Sequence, residues 1–367
     1  MNGTIYMPVG EVCSSISDTY REKKNMVTLI NTSDVLEGRV LNHERVPNSN
    51  LKGQFKKTFQ RDDILYSEIR PQNRRFAYVD FSPIDYIAST KLMVIRAKKD
   101  VVSPKYLYYF LKNSSTVAEL QLLAETRSGT FPQITFSEVA NLTIPVPSLA
   151  VQEVIVQTMQ CLEDKITCNE QINDNLELQA QAIYSYMFIE NADPAWVQGH
   201  LSDLITVKYG KDHKKLADGS YPVYGSGGIM RYVERPLYDK ESVLIPRKGT
   251  LNNVMYVNQP FWSVDTMFYT EMRLPNVAKF VYHFVKAKDL ASMNAGSAVP
   301  SMTTDILNAM EVVIPSTSAL AEFESLVDPM YRAMQENNIQ SSKLSELRDA
   351  LLPKLMSGEI DVSDIQL

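Results

Sequence analysis

The chain has 367 residues, 44% hydrophobic and 22% charged, which is enough apolar material for two ordinary folded domains and argues against a disordered chain. No apolar run approaches the roughly 18 residues that cross a bilayer, and the first ten residues lack the basic and apolar blocks of a secretory leader, which points to a soluble cytoplasmic protein with no membrane partner. The net charge of −6 excludes a uniform basic sleeve but is unevenly placed.

Four segments divide that charge. Residues 1–148 carry 19 Lys and Arg against 15 Asp and Glu, and residues 149–196 carry 1 against 8. Residues 197–316 carry 13 against 11, and residues 317–367 carry 4 against 9. Two mildly basic parts thus alternate with two acidic ones, and a local basic face is all that a phosphate backbone requires.

In the first basic part, β-branched and aromatic runs at 62–66, 76–80 and 91–96 read as strands between turn signals. The connections hold basic clusters: Lys52, Lys56, Lys57 and Arg61, then Arg70, Arg74 and Arg75, then Arg127 with Gln133. Arg, Asn and Gln can pair with base edges, whereas Lys usually positions the backbone, so these are candidate DNA contacts. A strand-like stretch at 142–146, closed by Pro147, ends this part.

A helix over about 150–188 follows, roughly 58 Å long at 1.5 Å per residue, too long for the core of a small domain. Its apolar positions Ile155, Met159, Leu162, Ile166, Leu176, Ala180, Ile183 and Met187 keep the alternating three and four spacing of a coiled-coil seam, with Asn169 and Asn173 inside it. Cys161 and Cys168 lie on one face of this helix. With Cys13 they are too few and too scattered for a disulfide framework or zinc cluster. The segment Asn191-Ala-Asp-Pro-Ala-Trp196 reads as a linker.

The second basic part offers strands at 242–245, 254–258 and 267–273. Its candidate DNA contacts are Lys208, Lys211, Lys214 and Lys215, then Arg231, then Arg247, Lys248, Asn252 and Asn253. Tyr224-Gly-Ser-Gly-Gly228 lacks the Lys-Ser/Thr ending of a phosphate loop and reads as a turn. A short stretch at 310–314, closed by Pro315, ends this part as 142–146 ended the first.

Shifting the first seam by 168 lands on a second one. Met330, Met334, Leu344, Leu351 and Leu355 take the apolar places, and Asn337 and Ser341 fall where Asn169 and Asn173 stood. The same offset relates Pro132 to Pro300 and Pro147 to Pro315. Polar residues inside an apolar seam can fix register, since slippage buries an amide against Leu or Ile. Asp328-Pro329 interrupts this second helix, so a kink or a late start is expected there, and Pro353 should act likewise near the other end.

The expected fold is α+β: two mixed α/β recognition domains, 1–148 and 191–316, alternate with long helices at 149–190 and 317–367. Those helices are expected to pair antiparallel as a coiled coil with pseudo-twofold symmetry. No catalytic centre is evident. Asp328-Pro-Met-Tyr331 departs at Met330 from the Asp/Asn-Pro-Pro-Tyr motif of amino-methyltransferases, and His43, His200, His213 and His283 show no metal-ligand spacing. No metal, cofactor or catalytic residue is therefore assigned.

Four segments in this order carry a family likeness: Asp62-Asp-Ile-Leu-Tyr-Ser-Glu-Ile-Arg-Pro71, Ile144-Pro-Val-Pro-Ser-Leu-Ala-Val-Gln-Glu153, Tyr221-Pro-Val-Tyr-Gly-Ser-Gly-Gly228 and Leu347-Arg-Asp-Ala-Leu-Leu-Pro-Lys-Leu-Met-Ser-Gly-Glu-Ile360. Over nearly its whole length the chain resembles the specificity subunit of type I restriction-modification systems. The resemblance implies two target recognition domains reading parts of a split double-stranded DNA site. It also implies helices that space them and dock methyltransferase (modification) subunits and restriction/translocase subunits, which would supply the catalysis. The rival readings are a coiled-coil scaffold without DNA specificity and an enzyme with an unrecognised site.

Overall fold

The structure, a computed structural model, describes residues 4–22, 24–49, 53–126, 132–293 and 301–362. It divides into two compact units: residues 1–168 with 339–367, and the continuous stretch 169–338. The division differs from a run of four segments, because each long helix gives one half to each unit.

In the first unit, strand Ile5–Pro8 pairs antiparallel with Thr143–Val146, which closes the fold immediately before the first long helix, Leu149–Ser185. The main sheet is antiparallel, in the order Cys13–Ile16, Leu92–Ala97, Ile64–Ser67, Phe76–Tyr78. Successive side chains on a strand face opposite sides. Ile64, Tyr66, Met93 and Ile95 enter one apolar core, while Leu65, Leu92 and Val94 enter another. Burial on both faces explains why the run at 64–66 is continuously apolar. The second core is covered by a smaller sheet, Val46–Pro47, Met26–Ile30, Tyr86–Ser89 and Phe55–Lys57, with one parallel pair.

Helix Pro104–Lys112 has proline in its first turn, where the missing N–H costs nothing, and buries Tyr106, Leu107, Tyr109 and Leu111. Ile155, Val156 and Met159 of the first long helix and Leu352, Leu355 and Met356 of the second complete the same core. Gln152 is fully buried and satisfied: it accepts from the Ser103 amide (2.8 Å) and donates to the carbonyls of Pro147 (2.8 Å) and Val101 (3.2 Å).

The second unit repeats this scaffold. Val197–His200 pairs with Glu311–Ile314, and Ile205–Tyr209, Met267–Met272, Ser242–Pro246 and Met255–Val257 form the antiparallel sheet. Val243, Ile245 and Phe268 face one core, and Leu244, Met267 and Tyr269 the other. The registers correspond: Tyr66 sits opposite Met93 as Ile245 sits opposite Phe268, and Cys13 opposite Ala97 as Ile205 opposite Met272. Here the second core is covered by a hairpin, Asp218–Gly225 with Gly228–Val233, and by the short strand Trp262–Ser263. Ser226 and Gly227 form the turn between its strands.

The second long helix, Thr317–Ser357, starts early and is continuous through Pro329 and Pro353. The late start expected at Asp328-Pro329 does not occur. Pro329 cannot donate to the Ser325 carbonyl, but its neighbours hold the turn. Phe323 and Val327 are fully buried, Tyr331 nearly so, and the Asp328 carboxylate takes Lys279 (3.1 Å) and Arg332 (2.7 Å). At Pro353 the buried Leu352, Leu355 and Met356 do the same. Tertiary packing outweighs the local cost. Pro300 lies outside the described residues.

Candidate nucleic-acid interface

The loop that carries Arg70, Arg74 and Arg75 joins two strands of the first unit's main sheet, Ile64–Ser67 and Phe76–Tyr78, whereas Lys56 and Lys57 stand on strand Phe55–Lys57 of the smaller sheet. After strand Ile64–Ser67 the chain makes a single 3-10 turn, Pro71–Asn73, flanked by Arg70 and Arg74. Both arginines are left-handed, at φ 46° and 51°. The turn is tied on three sides. The Arg70 amide donates to the Pro132 carbonyl (3.1 Å), the Gln72 amide to Gln121 Oε1 (3.2 Å), and the Glu37 amide to the Arg74 carbonyl (2.9 Å). Beside it Gly38, at φ 106°, sits against the Tyr108 hydroxyl, which leaves no room for a Cβ.

The charged side chains there differ in exposure. Arg74 donates to Ser114 Oγ (2.8 Å) and Arg75 to the Ser33 carbonyl (3.0 Å), so both brace the loop. Lys57 spends its ammonium on the carbonyls of Thr90 (3.0 Å) and Leu92 (2.7 Å), and burial holds its pKa below the ordinary lysine value. Gln133 accepts from Lys91 (3.3 Å). Lys56, Arg61 and Arg70 are exposed, as are Gln72 and Asn73 at the tip of the turn. Lys52 and Arg127 lie outside the described residues.

In the second unit the loop after strand Ser242–Pro246 carries Arg247, Lys248, Asn252 and Asn253. Arg247 lies over the Tyr209 ring (5.3 Å to its centroid), Asn252 donates to Asp289 (3.0 Å), and Asn253 donates to the Ser226 carbonyl (2.8 Å). That last bond joins the loop to the glycine turn of the hairpin, and a Cβ at Gly249 would meet Ser226 Oγ at 2.6 Å. The turn at Tyr224-Gly-Ser-Gly-Gly228 is thus part of the same surface, a partnership that only a long-range contact reveals. Arg231 is held by Asp218 (2.9 Å) and the Leu216 carbonyl, and Lys208 faces Glu271 at 3.6 Å. Lys211, Lys214, Lys215 and Lys248 are exposed. Exposed ammonium groups without a bracing role suit backbone phosphates, while Asn and Arg fit base edges.

The predicted seam positions Leu162, Ile166, Leu176, Met330, Met334, Ser341 and Leu344 are half-buried, and Asn169 is fully buried. In the second unit the amides cross-link: Asn169 donates to the Asn337 carbonyl (3.4 Å), Asn337 to Asn173 Oδ1 (2.9 Å), and Asn173 to Asn338 Oδ1 (2.9 Å) and the Met334 carbonyl (3.4 Å). Two titratable clusters lie beside the helices. Glu163 accepts from Lys112 and Tyr109, and Lys279, almost wholly buried, reaches Glu324, Asp328 and Glu241. Among the described residues no group of His, Cys, Asp and Glu is placed to hold a metal ion, and no helix is long and apolar enough to cross a membrane.

The family model described as the type I restriction modification DNA specificity domain matches residues 6–178 and 195–337, once in each half, and the chain belongs to that family. It is 28% identical to the type I restriction enzyme HindI specificity subunit of Haemophilus influenzae, over 91% of this chain and 94% of that one. The MjaIX specificity subunit of Methanocaldococcus jannaschii is 23% identical over 77% of each. The crystal structure of a type I restriction-modification S subunit from M. genitalium shares the fold at a TM-score of 0.55 and 17% identity, over 97% of both chains.

Proposed function

We propose that this chain is the DNA specificity subunit of a type I restriction-modification complex, reading a split, asymmetric duplex site and docking methylating and cleaving subunits that carry the catalysis. The observation that carries the reading is the family match in each half of a chain whose halves repeat one scaffold. The site is asymmetric because the reading loops differ: the Arg70 to Arg75 loop has no close match in the Arg247 to Asn253 loop. The helices are read as an antiparallel coiled-coil pair relating the recognition domains by pseudo-twofold symmetry. Supporting this, the amide bonds step from 169 to 173 on one helix as they step from 337 to 334 on the other.

The test is to express the chain with methyltransferase subunits of its own system and map the methylated positions in DNA exposed to the complex. The expected result is two short, different base patterns separated by a fixed unread gap. A complex that retains duplex DNA without sequence preference would support the scaffold reading, and methyl transfer or strand cleavage by the chain alone would overturn the non-catalytic one.

A further inference from the structure

Six non-glycine residues have positive φ among the described residues: Glu37, Asp62, Arg70, Arg74, Asp85 and Asn276. Asp and Asn tolerate this conformation, because their short side chains bond locally. Arg and Glu have no such excuse. The three that remain, Glu37, Arg70 and Arg74, meet at one place, the turn joined by the Glu37 amide to Arg74 carbonyl bond. Strain collected in one surface loop and tied from three sides points to a loop shaped for a ligand.

The second unit shows what the same corner requires. Ile134 donates to the Glu68 carbonyl as Met302 donates to the Arg247 carbonyl, both at 2.9 Å, and Ile69 bridges Gln133 as Lys248 bridges Ser301. Arg70 therefore stands where the other unit has Gly249, also left-handed at φ 86°. Glycine makes this corner without steric cost. The fold does not need an arginine there, and the corner is built with one at a conformational penalty.

We infer that Arg70 is a specificity-determining residue of the first unit, its guanidinium pairing with the O6 and N7 edge of one guanine, while Arg74 and Arg75 position the turn. The inference rests on the reading above that the chain recognises duplex DNA. Arg70, Gln72 and Asn73 are exposed on this one turn. A forked guanidinium matches guanine, as carboxamides match adenine. Arg74 and Arg75 are committed to Ser114 and to the Ser33 carbonyl.

The experiment uses the complex of the full chain with its methyltransferase subunits. The methylated sites of the wild type are mapped first, and each guanine in the two base patterns is then replaced in turn by 7-deazaguanine, which removes only N7. The wild type is expected to lose binding at one guanine by roughly twofold to tenfold, about half the worth of a bidentate pair, because the bond to O6 remains. Arg70→Gly is expected to be indifferent to that replacement, to accept other bases there, and to leave the second pattern unchanged. Its melting temperature should equal or exceed that of the wild type, because the corner is relaxed. Arg70→Lys keeps the charge and lacks the fork, so it should lose the same base while still folding.

An Arg70→Gly or Arg70→Lys complex with an unaltered pattern overturns the inference, as does a wild type indifferent to every deazaguanine. So does a fall of several degrees in the melting temperature of Arg70→Gly, which would make Arg70 a structural brace. A wild type with no sequence preference defeats instead the reading on which the inference rests.

Discussion

His283 is wholly buried, stacked on Tyr184 and held between two side chains. Its Nδ1 donates to Gln181 Oε1 (2.8 Å) and its Nε2 accepts from the Tyr331 hydroxyl (2.9 Å). A neutral ring satisfies both bonds. Burial is the largest influence and pulls its pKa from 6.5 down to about 4, with Glu177 opposing and Lys286 assisting. Between those values the unfolded chain binds the proton and the folded chain does not, so stability is present above about pH 6.5 and falls as pH drops toward 4. The contribution is on the order of 2–3 kcal/mol. Urea midpoints measured from pH 7 to pH 4.5 should fall more steeply in the wild type than in His283→Gln; parallel slopes would show that this ring does not carry the dependence. Nothing in the sequence singles out His283 for this, since Gln181 and Tyr331 lie far from it along the chain. Lys57 and Arg75 are alike in this respect: each reads as a surface cation and is spent on backbone carbonyls that sequence position does not announce.

At the level of elements, legibility follows the range of the forces. The strands at 64–67 and 242–246 were readable because burial on two faces demands an unbroken apolar run. The repeat was readable because both seams obey one spacing. The glycine turn Tyr224 to Gly228 of the hairpin was not recognised as part of the candidate surface that Arg231 on the same hairpin had suggested, because its tie to Asn253 crosses 27 residues. Pro329 misled in the opposite sense, since a local rule lost to the packing of Phe323, Val327 and Tyr331. Its ring is exposed, so Pro329→Ala forfeits no packing and restores the amide that can reach the Ser325 carbonyl. An interior helical proline costs about 3 kcal/mol, and the added freedom of the unfolded chain returns up to about 1. Pro329→Ala should therefore raise stability by about 2 kcal/mol, read as a higher urea midpoint with an unchanged slope. An equal or lower midpoint would mean that the helix is already distorted to suit the ring.

At the scale of the whole molecule, the proposed ruler is open to a direct cut. Removing one heptad from each long helix, residues 170–176 and 338–344, preserves the seam spacing, because equal lengths leave both partners. If the helices set the gap between the two base patterns, the methylation map of the deletion complex should show a shorter unread gap and both patterns intact. A folded, assembled deletion complex that keeps its original gap would remove the helices from that role.

The nesting of one unit inside the other also dictates an order of completion during synthesis. Ile155 and Met159 leave the ribosome well before Leu352, Leu355 and Met356, with which they share a core. At about 5–20 residues per second the interval is roughly 10–40 s. Throughout it the nascent chain shows an unfinished apolar stripe, and only near its end does the inner stretch 169–338 hold every segment of its own unit. The part begun first is thus the part finished last, and the interval is when a nascent-chain chaperone has something to hold.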